Sequence, residues 1–239
     1  MAGTGGRSRG QGRKAGSSVP RKAAARVSRA QRRKPSSTEW LSRQLNDPYV
    51  AEARRLGYRS RAAFKLIELD DRFRLLRRDH RVVDLGCAPG GWTQVAVERV
   101  GIGGKVVGVD AAETAPVPGS AILRADIHDP GVAAMIKAEL ADQADVVLSD
   151  MAPSTTGHAT TDHLRIVALA EAACSIAAEI LKPGGSFVAK VFQGGAEGEL
   201  LAQLKRRFAE LRHAKPPASR PESAETYVIA KGFRGRRET

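Results

Sequence analysis

From about residue 40 to 232 the chain alternates between two hydrophobic rhythms. Short Val-rich runs that are apolar at nearly every position are separated by longer stretches in which apolar residues recur every three or four positions. The short runs read as strands buried on both faces and the longer stretches as amphipathic helices. Strands are expected at 81–86, 105–110, 121–126, 145–150, 186–192 and 226–231. Helices are expected at about 60–76, 91–100, 130–141, 162–181 and 196–211. Ser60 is the expected N-cap of the first helix, whose apolar positions are Ala63, Phe64, Leu66, Ile67 and Phe73. Doubly buried strands alternating with helices of this length imply βαβ units. The pattern therefore predicts an α/β domain with a mostly parallel central sheet and helices on both faces. No internal repeat is visible.

Upstream the alternation stops. Residues 1–38 hold 11 Lys/Arg and no acid, with Val19 and Val27 as the large apolar groups after Met1. Such a segment buries too little surface to offset its ordering entropy, so a disordered basic tail over 1–38 and a folded domain over 39–239 are expected. A flexible arm on nucleic-acid phosphates is one reading of the tail. A solvated solubility segment and an Arg-rich transit peptide stay open beside it. The net charge of +13 points to an anionic partner, nucleic acid first. The body is nearly neutral, with 17 basic and 19 acidic residues over 82–239. Cys87 and Cys174 lie in apolar segments without metal-ligand spacing, and the five histidines are scattered. No metal site and a reducing, cytoplasmic setting are therefore expected. No apolar run approaches the ~18 residues of a membrane span.

The chemistry gathers at the predicted strand ends. The first strand runs into Asp84-x-Gly86, a glycine-rich turn, and then Gly90-Gly91 at the start of a helix. Glycines let a ligand approach the backbone, and a helix N-terminus favours a carboxylate or phosphate. The next strands end in Asp110, Asp126 and Asp150. An acid about 20 residues beyond a glycine turn suits the two hydroxyls of a ribose, and ligands of parallel sheets bind beyond the carboxyl ends of the strands. A nucleoside cofactor follows. The turn spacing Gly86-x-x-x-Gly90 departs from G-x-G-x-x-G and counts against a nicotinamide oxidoreductase.

Four segments in order, DLGCAPGGW, SDMAPSTTG, KVFQG and SAETYVIAKG, resemble the FtsJ family of RNA ribose 2′-O-methyltransferases, most closely its bacterial large-subunit rRNA branch. The resemblance covers about residues 38–232. It departs from the common pattern at Cys87, where Ala is usual, and at Ser154, where Asn is frequent. It implies a Rossmann-like methyltransferase fold, S-adenosylmethionine as cofactor and a uridine ribose of large-subunit ribosomal RNA as substrate, with the enzyme monomeric. Another RNA such as tRNA, or a non-enzymatic role in ribosome assembly, remains an alternative. The family's Lys-Asp-Lys-Glu tetrad falls on Lys65, Asp150, Lys190 and Glu225. Cofactor contacts are implied at Gly90, Trp92, Asp110, Asp126 and Asp150, although Trp92 could equally be a core residue under the turn. Methylating a hydroxyl requires a base for its proton. Partial burial and a second cation nearby are the usual means of neutralising a lysine for that task. Lys190, between Val188, Val191 and Phe192, is the expected base. Asp150 is expected to orient it, and Lys65 and Glu225 to position the nucleotide.

Overall fold

β1 (Arg81–Leu85) is an interior strand of a seven-stranded sheet, flanked on both sides, which is why Val82, Val83 and Leu85 are all fully buried. The computed structural model describes residues 46–153, 157–192 and 198–235. The expected tail at 1–38 and the SDMAP neighbour Ser154 lie outside them. From Asp47 onward the chain forms one compact unit. Two helices come first, α1 (Pro48–Leu56) and α2 (Ala63–Phe73). After β1 follow α3 (Gly91–Val100), β2 (Lys105–Asp110), β3 (Ala121–Arg124), α4 (Val132–Leu140) and β4 (Ala144–Ser149). The chain continues with α5 (Ala159–Ile180), β5 (Leu181–Phe192), α6 (Gly198–Arg207), β6 (Phe208–Ala214) and β7 (Glu225–Phe233).

The strand order is β3-β2-β1-β4-β5-β7-β6. The first five strands in that order pair in parallel, while β7 runs antiparallel to both β5 and β6. Strand alternation splits the core into two layers. Val83, Leu85, Val107 and Val147 meet α4, α5 and α6 on one face. Val82, Val106, Val146 and Leu148 meet α2 and α3 on the other. The expected α/β architecture is the one observed.

Three local expectations are corrected. α2 begins at Ala63, its N-cap is Ala62, and no side chain caps it. Ser60 instead packs against Gly91, where an added Cβ would lie 2.5 Å from the Ser60 hydroxyl. The helix expected over 196–211 ends at Arg207, and Phe208–Ala214 is the edge strand β6. Phe208 turns inward onto Phe233, with ring centroids 5.3 Å apart, and pairing with β7 outweighs the helical spacing of the preceding residues. β5 also starts earlier than expected, at Leu181. The pattern missed α1, yet its signals are local. Asp47 accepts from the Tyr49 amide at 3.0 Å, Pro48 opens the first turn, and Gly57 closes the helix at φ +80°.

The topology sets up the site. Parallel strands end at a common carboxyl edge, where Gly86, Asp110, Asp126 and Asp150 follow or finish their strands. Because β7 runs the other way, its first residue, Glu225, arrives at that same edge opposite Phe192.

Candidate active site

A cavity of about 900 Å³ opens at the carboxyl edge, walled by Gly86, Ala88, Asp110, Asp126, Asp150 and Met151. Gly86 (φ +77°) has no room for a side chain, since a Cβ would collide with Met151. Asp110 is held rigidly. Its Oδ2 accepts from the Ala88 amide at 2.9 Å and its Oδ1 from the Ala112 amide at 2.8 Å. Each oxygen keeps a further lone pair for a ligand donor. Asp126 accepts from the His128 amide at 2.9 Å, and its carboxyl borders the same space. Carboxylates on consecutive strand ends, beside a turn whose Gly86 leaves no room for a side chain, fit a nucleoside with free ribose hydroxyls and an amino-bearing base. His128 and Arg165 also line the cavity, and neither was marked by the sequence pattern.

Gly90 and Trp92 do not line it. Gly90 precedes α3 at φ +108°, and a Cβ there would press on Val117 and Arg59. Trp92 is buried, donates its indole N–H to the Ala62 carbonyl at 2.8 Å, and packs on Tyr227 with centroids 5.7 Å apart. It ties the glycine turn to the start of α2.

The four expected catalytic side chains come together beside the cavity. Lys190 Nζ lies 3.2 Å from Asp150 Oδ1 and donates to the Asp150 carbonyl at 2.7 Å. Lys65 Nζ lies 2.7 Å from Glu225 Oε1 and 3.8 Å from Asp150 Oδ2. Charge therefore alternates along the row Glu225, Lys65, Asp150, Lys190. Both lysines are only 7% exposed, so water screens the row weakly. Burial alone would raise the Glu225 carboxyl, but Lys65 and then Lys190 overcome it and hold that carboxyl below its ordinary range.

A fifth member was missed. The Tyr227 hydroxyl donates to Asp150 Oδ1 at 2.6 Å and lies 3.4 Å from Glu225 Oε1. Burial, with the Asp150 and Glu225 charges, pushes this phenol well above its usual value and keeps it a donor. Its place two residues after Glu225 on β7 puts both side chains on one face, a signal that was available in the sequence. Cys87 and Cys174 are free and buried, which pushes their thiols up to about 12 and about 11. Among the described residues no group of three His, Cys, Asp or Glu could hold a metal ion.

Beneath the turn, Asp84 accepts from the Thr93 hydroxyl at 2.7 Å, while its other oxygen is buried without a partner. Burial first, then the Asp150 and Asp110 charges, push its carboxyl up from 3.8 to about 7. An acid whose folded pKa lies above its unfolded value stabilises the fold fully at low pH. That contribution is lost as pH rises from about 4 through about 7. Relative to Asp84→Asn, the wild-type protein should lose stability over that window, by at most on the order of 4 kcal/mol. Denaturant titrations of both proteins at pH 4.5 and pH 8 would check this; parallel stability curves would refute it.

The chain resembles known proteins along nearly its whole length. It is 60% identical over 238 residues to a protein of Paramagnetospirillum magneticum named ribosomal RNA large subunit methyltransferase E, covering 98% of this chain and 96% of that one. It is 60% identical over 214 residues to a protein of that name from Rhodospirillum rubrum, covering 88% and 81%. A solved structure described as a ribosomal RNA methyltransferase of Plasmodium falciparum superposes with a TM-score of 0.67 at 31% identity, over 75% of this chain and all of that one. The FtsJ-like methyltransferase family model matches residues 58–233, from just before α2 to the end of β7. Because that match takes in the carboxylate-walled cavity and the whole charged row beside it, the chain belongs to the FtsJ-like methyltransferase family.

Proposed function

We propose that this methyltransferase moves the methyl group of S-adenosylmethionine onto a ribose 2′-hydroxyl, that of a uridine, in large-subunit ribosomal RNA, acting as a cytoplasmic monomer. The observation that carries the proposal is the buried row of Lys190, Asp150, Lys65 and Glu225 beside the cavity. The names of the relatives support the RNA and the subunit. Among the described residues no helix is long and apolar enough to cross a membrane.

When bound, S-adenosylmethionine supplies a methyl group on a sulfonium centre. Asp110 and Asp126 would hold its ribose and base, and the turn at Gly86 gives it room. Lys190 Nζ, after releasing its own extra proton to water, would accept the 2′-hydroxyl proton as that oxygen bonds to the methyl carbon and the methyl–sulfur bond breaks. Asp150 holds that nitrogen through its carboxylate and its main-chain carbonyl, and Tyr227 holds the Asp150 carboxylate. Lys65 and Glu225 place the nucleotide. General base catalysis is worth roughly 10²–10⁴-fold, whereas alignment can supply ~7–11 kcal/mol, so positioning carries the larger share. The basic segment 1–38, outside the described residues, would add sequence-independent phosphate contacts.

The test uses large subunits from cells lacking the enzyme, incubated with purified protein and methyl-labelled S-adenosylmethionine. Label on one ribose 2′-oxygen of the large-subunit RNA is the expected result. Label on a base, or on tRNA in preference to the subunit, would overturn the proposal.

A further inference from the structure

Arg61, just before α2, and Glu68, on α2, both reach the loop between β6 and β7. Together they grip a single residue of the loop from both sides. Arg61 Nη2 donates to the Ala218 carbonyl at 2.6 Å, and the Ala218 amide donates to Glu68 Oε2 at 2.7 Å. The gripping side chains are themselves fixed. Arg61 Nε pairs with Asp47 at 2.8 Å, and the Tyr49 hydroxyl donates to Glu68 Oε1 at 3.1 Å. Lys215 Nζ closes the loop from within, donating to the Pro221 and Ser223 carbonyls at 2.9 and 2.6 Å.

The residue after the gripped one is Ser219. It is 4% exposed, its amide donates to the Pro216 carbonyl at 2.8 Å, and its hydroxyl donates to Glu225 Oε1 at 2.7 Å. Lys65 engages that same oxygen at 2.7 Å, and the Tyr227 hydroxyl approaches it at 3.4 Å. One carboxylate oxygen thus collects two donors, from α2 and from the loop, with the Tyr227 hydroxyl of β7 close by. The Ser219 hydroxyl is the donor that lies outside the charged row, and it is placed by the helix that carries Lys65.

We infer that Ser219 is a positioning residue for methyl transfer: its hydroxyl fixes the Glu225 carboxylate and, through it, the Lys65 ammonium that faces the nucleotide. This rests on the proposed role of Glu225 and Lys65. A buried hydroxyl that only stitched the loop needs no more than an acceptor at position 225, which Glu225→Gln retains, so its loss would cost the same in both backgrounds. A hydroxyl that acts through Glu225 would lose its effect once that carboxylate is gone.

The experiment is a double-mutant cycle on the full-length protein, read as single-turnover methylation of large subunits at saturating S-adenosylmethionine. Ser219→Ala should slow the reaction about tenfold, the usual weight of a lost hydrogen bond to a charged group. Ser219→Thr, which keeps the hydroxyl, should stay within about threefold of wild type. In the Glu225→Gln background the same Ser219→Ala change should cost less than about twofold. Donor affinity by calorimetry should not change, because Ser219 is not among the residues that wall the cavity. A wild-type rate for Ser219→Ala overturns the inference, as does Ser219→Thr as slow as Ser219→Ala, or a tenfold loss in both backgrounds. If Glu225→Gln alone is as fast as wild type, the role given to Glu225 fails and the inference falls with it. That outcome is distinguishable from the others because it shows in the single variant.

Discussion

Replacing Lys190 with Ala should reduce single-turnover methyl transfer by about 10²–10⁴-fold while leaving S-adenosylmethionine affinity nearly unchanged. Lys190 stands on β5 opposite Tyr227 and is held to Asp150 twice, yet it does not wall the cavity that would take the cofactor. Its loss removes the proposed proton acceptor and little of the binding site. The fold should survive, since Asp150 retains the Tyr227 hydroxyl at 2.6 Å and Lys65 at 3.8 Å. A second variant separates base from charge. Lys190→Arg keeps the positive charge beside Asp150, but a guanidinium does not give up its proton in proteins. It should therefore be nearly as slow as Lys190→Ala. Activity within tenfold of wild type in Lys190→Arg would mean that the lysine serves only by its charge. Activity within fivefold in Lys190→Ala would remove it from the chemistry altogether.

Asp110→Ala should act on the other half of the site and weaken S-adenosylmethionine binding about 10- to 100-fold. Hydrogen bonds to a charged acceptor are worth ~1.5–3 kcal/mol, and the carboxylate at the end of β2 is placed to accept from ribose hydroxyls. It is also the acceptor for the Ala88 and Ala112 amides, so its removal loosens the glycine turn and the segment after β2 together. Calorimetry would measure the affinity, and the single-turnover rate at saturating donor should recover most of its wild-type value. Unchanged affinity would show that Asp110 holds the loop and nothing else. A rate that stays low at saturation would place Asp110 in the chemistry instead.

The two variants separate the parts of the site that were easy and hard to read. Asp110 was legible because its surroundings are local: a doubly buried strand, KVVGVD, ends in an acid, and the carboxyl edge of a parallel sheet is where ligands bind. Asp150 was legible in the same way, and the apolar neighbours of Lys190 marked it as unusual, but the tetrad roles of Lys190, Lys65 and Glu225 came only through resemblance to a family. Nothing in periodicity distinguishes Lys65 from the other cations before β1, or Glu225 from an ordinary surface acid. Tyr227 was overlooked because an aromatic residue in an apolar strand reads as core, and it is core, at 0% exposure. Its hydroxyl matters only because Asp150 arrives from β4. Phe208–Ala214 was misread for a related reason. An edge strand with Glu210 and Arg212 outward lacks the doubly apolar signature of the inner strands and passes for the end of an amphipathic helix.

The sequence by itself determined the inner strands, the helices that cover them, the glycine turn after β1, and the acids at or just beyond the ends of β2, β3 and β4. These depend on local demands, namely burial on both faces of a strand and a backbone that must turn where no side chain fits. The tertiary structure alone decided that β7 would enter the sheet antiparallel and bring Glu225 back to the edge where Asp150 and Lys190 end. It decided too that α2 would lay Lys65 between the two carboxylates while gripping the loop that carries Ser219. Buried charges take their partners from whatever the packed layers bring within a few ångströms, and that proximity has no period along the chain.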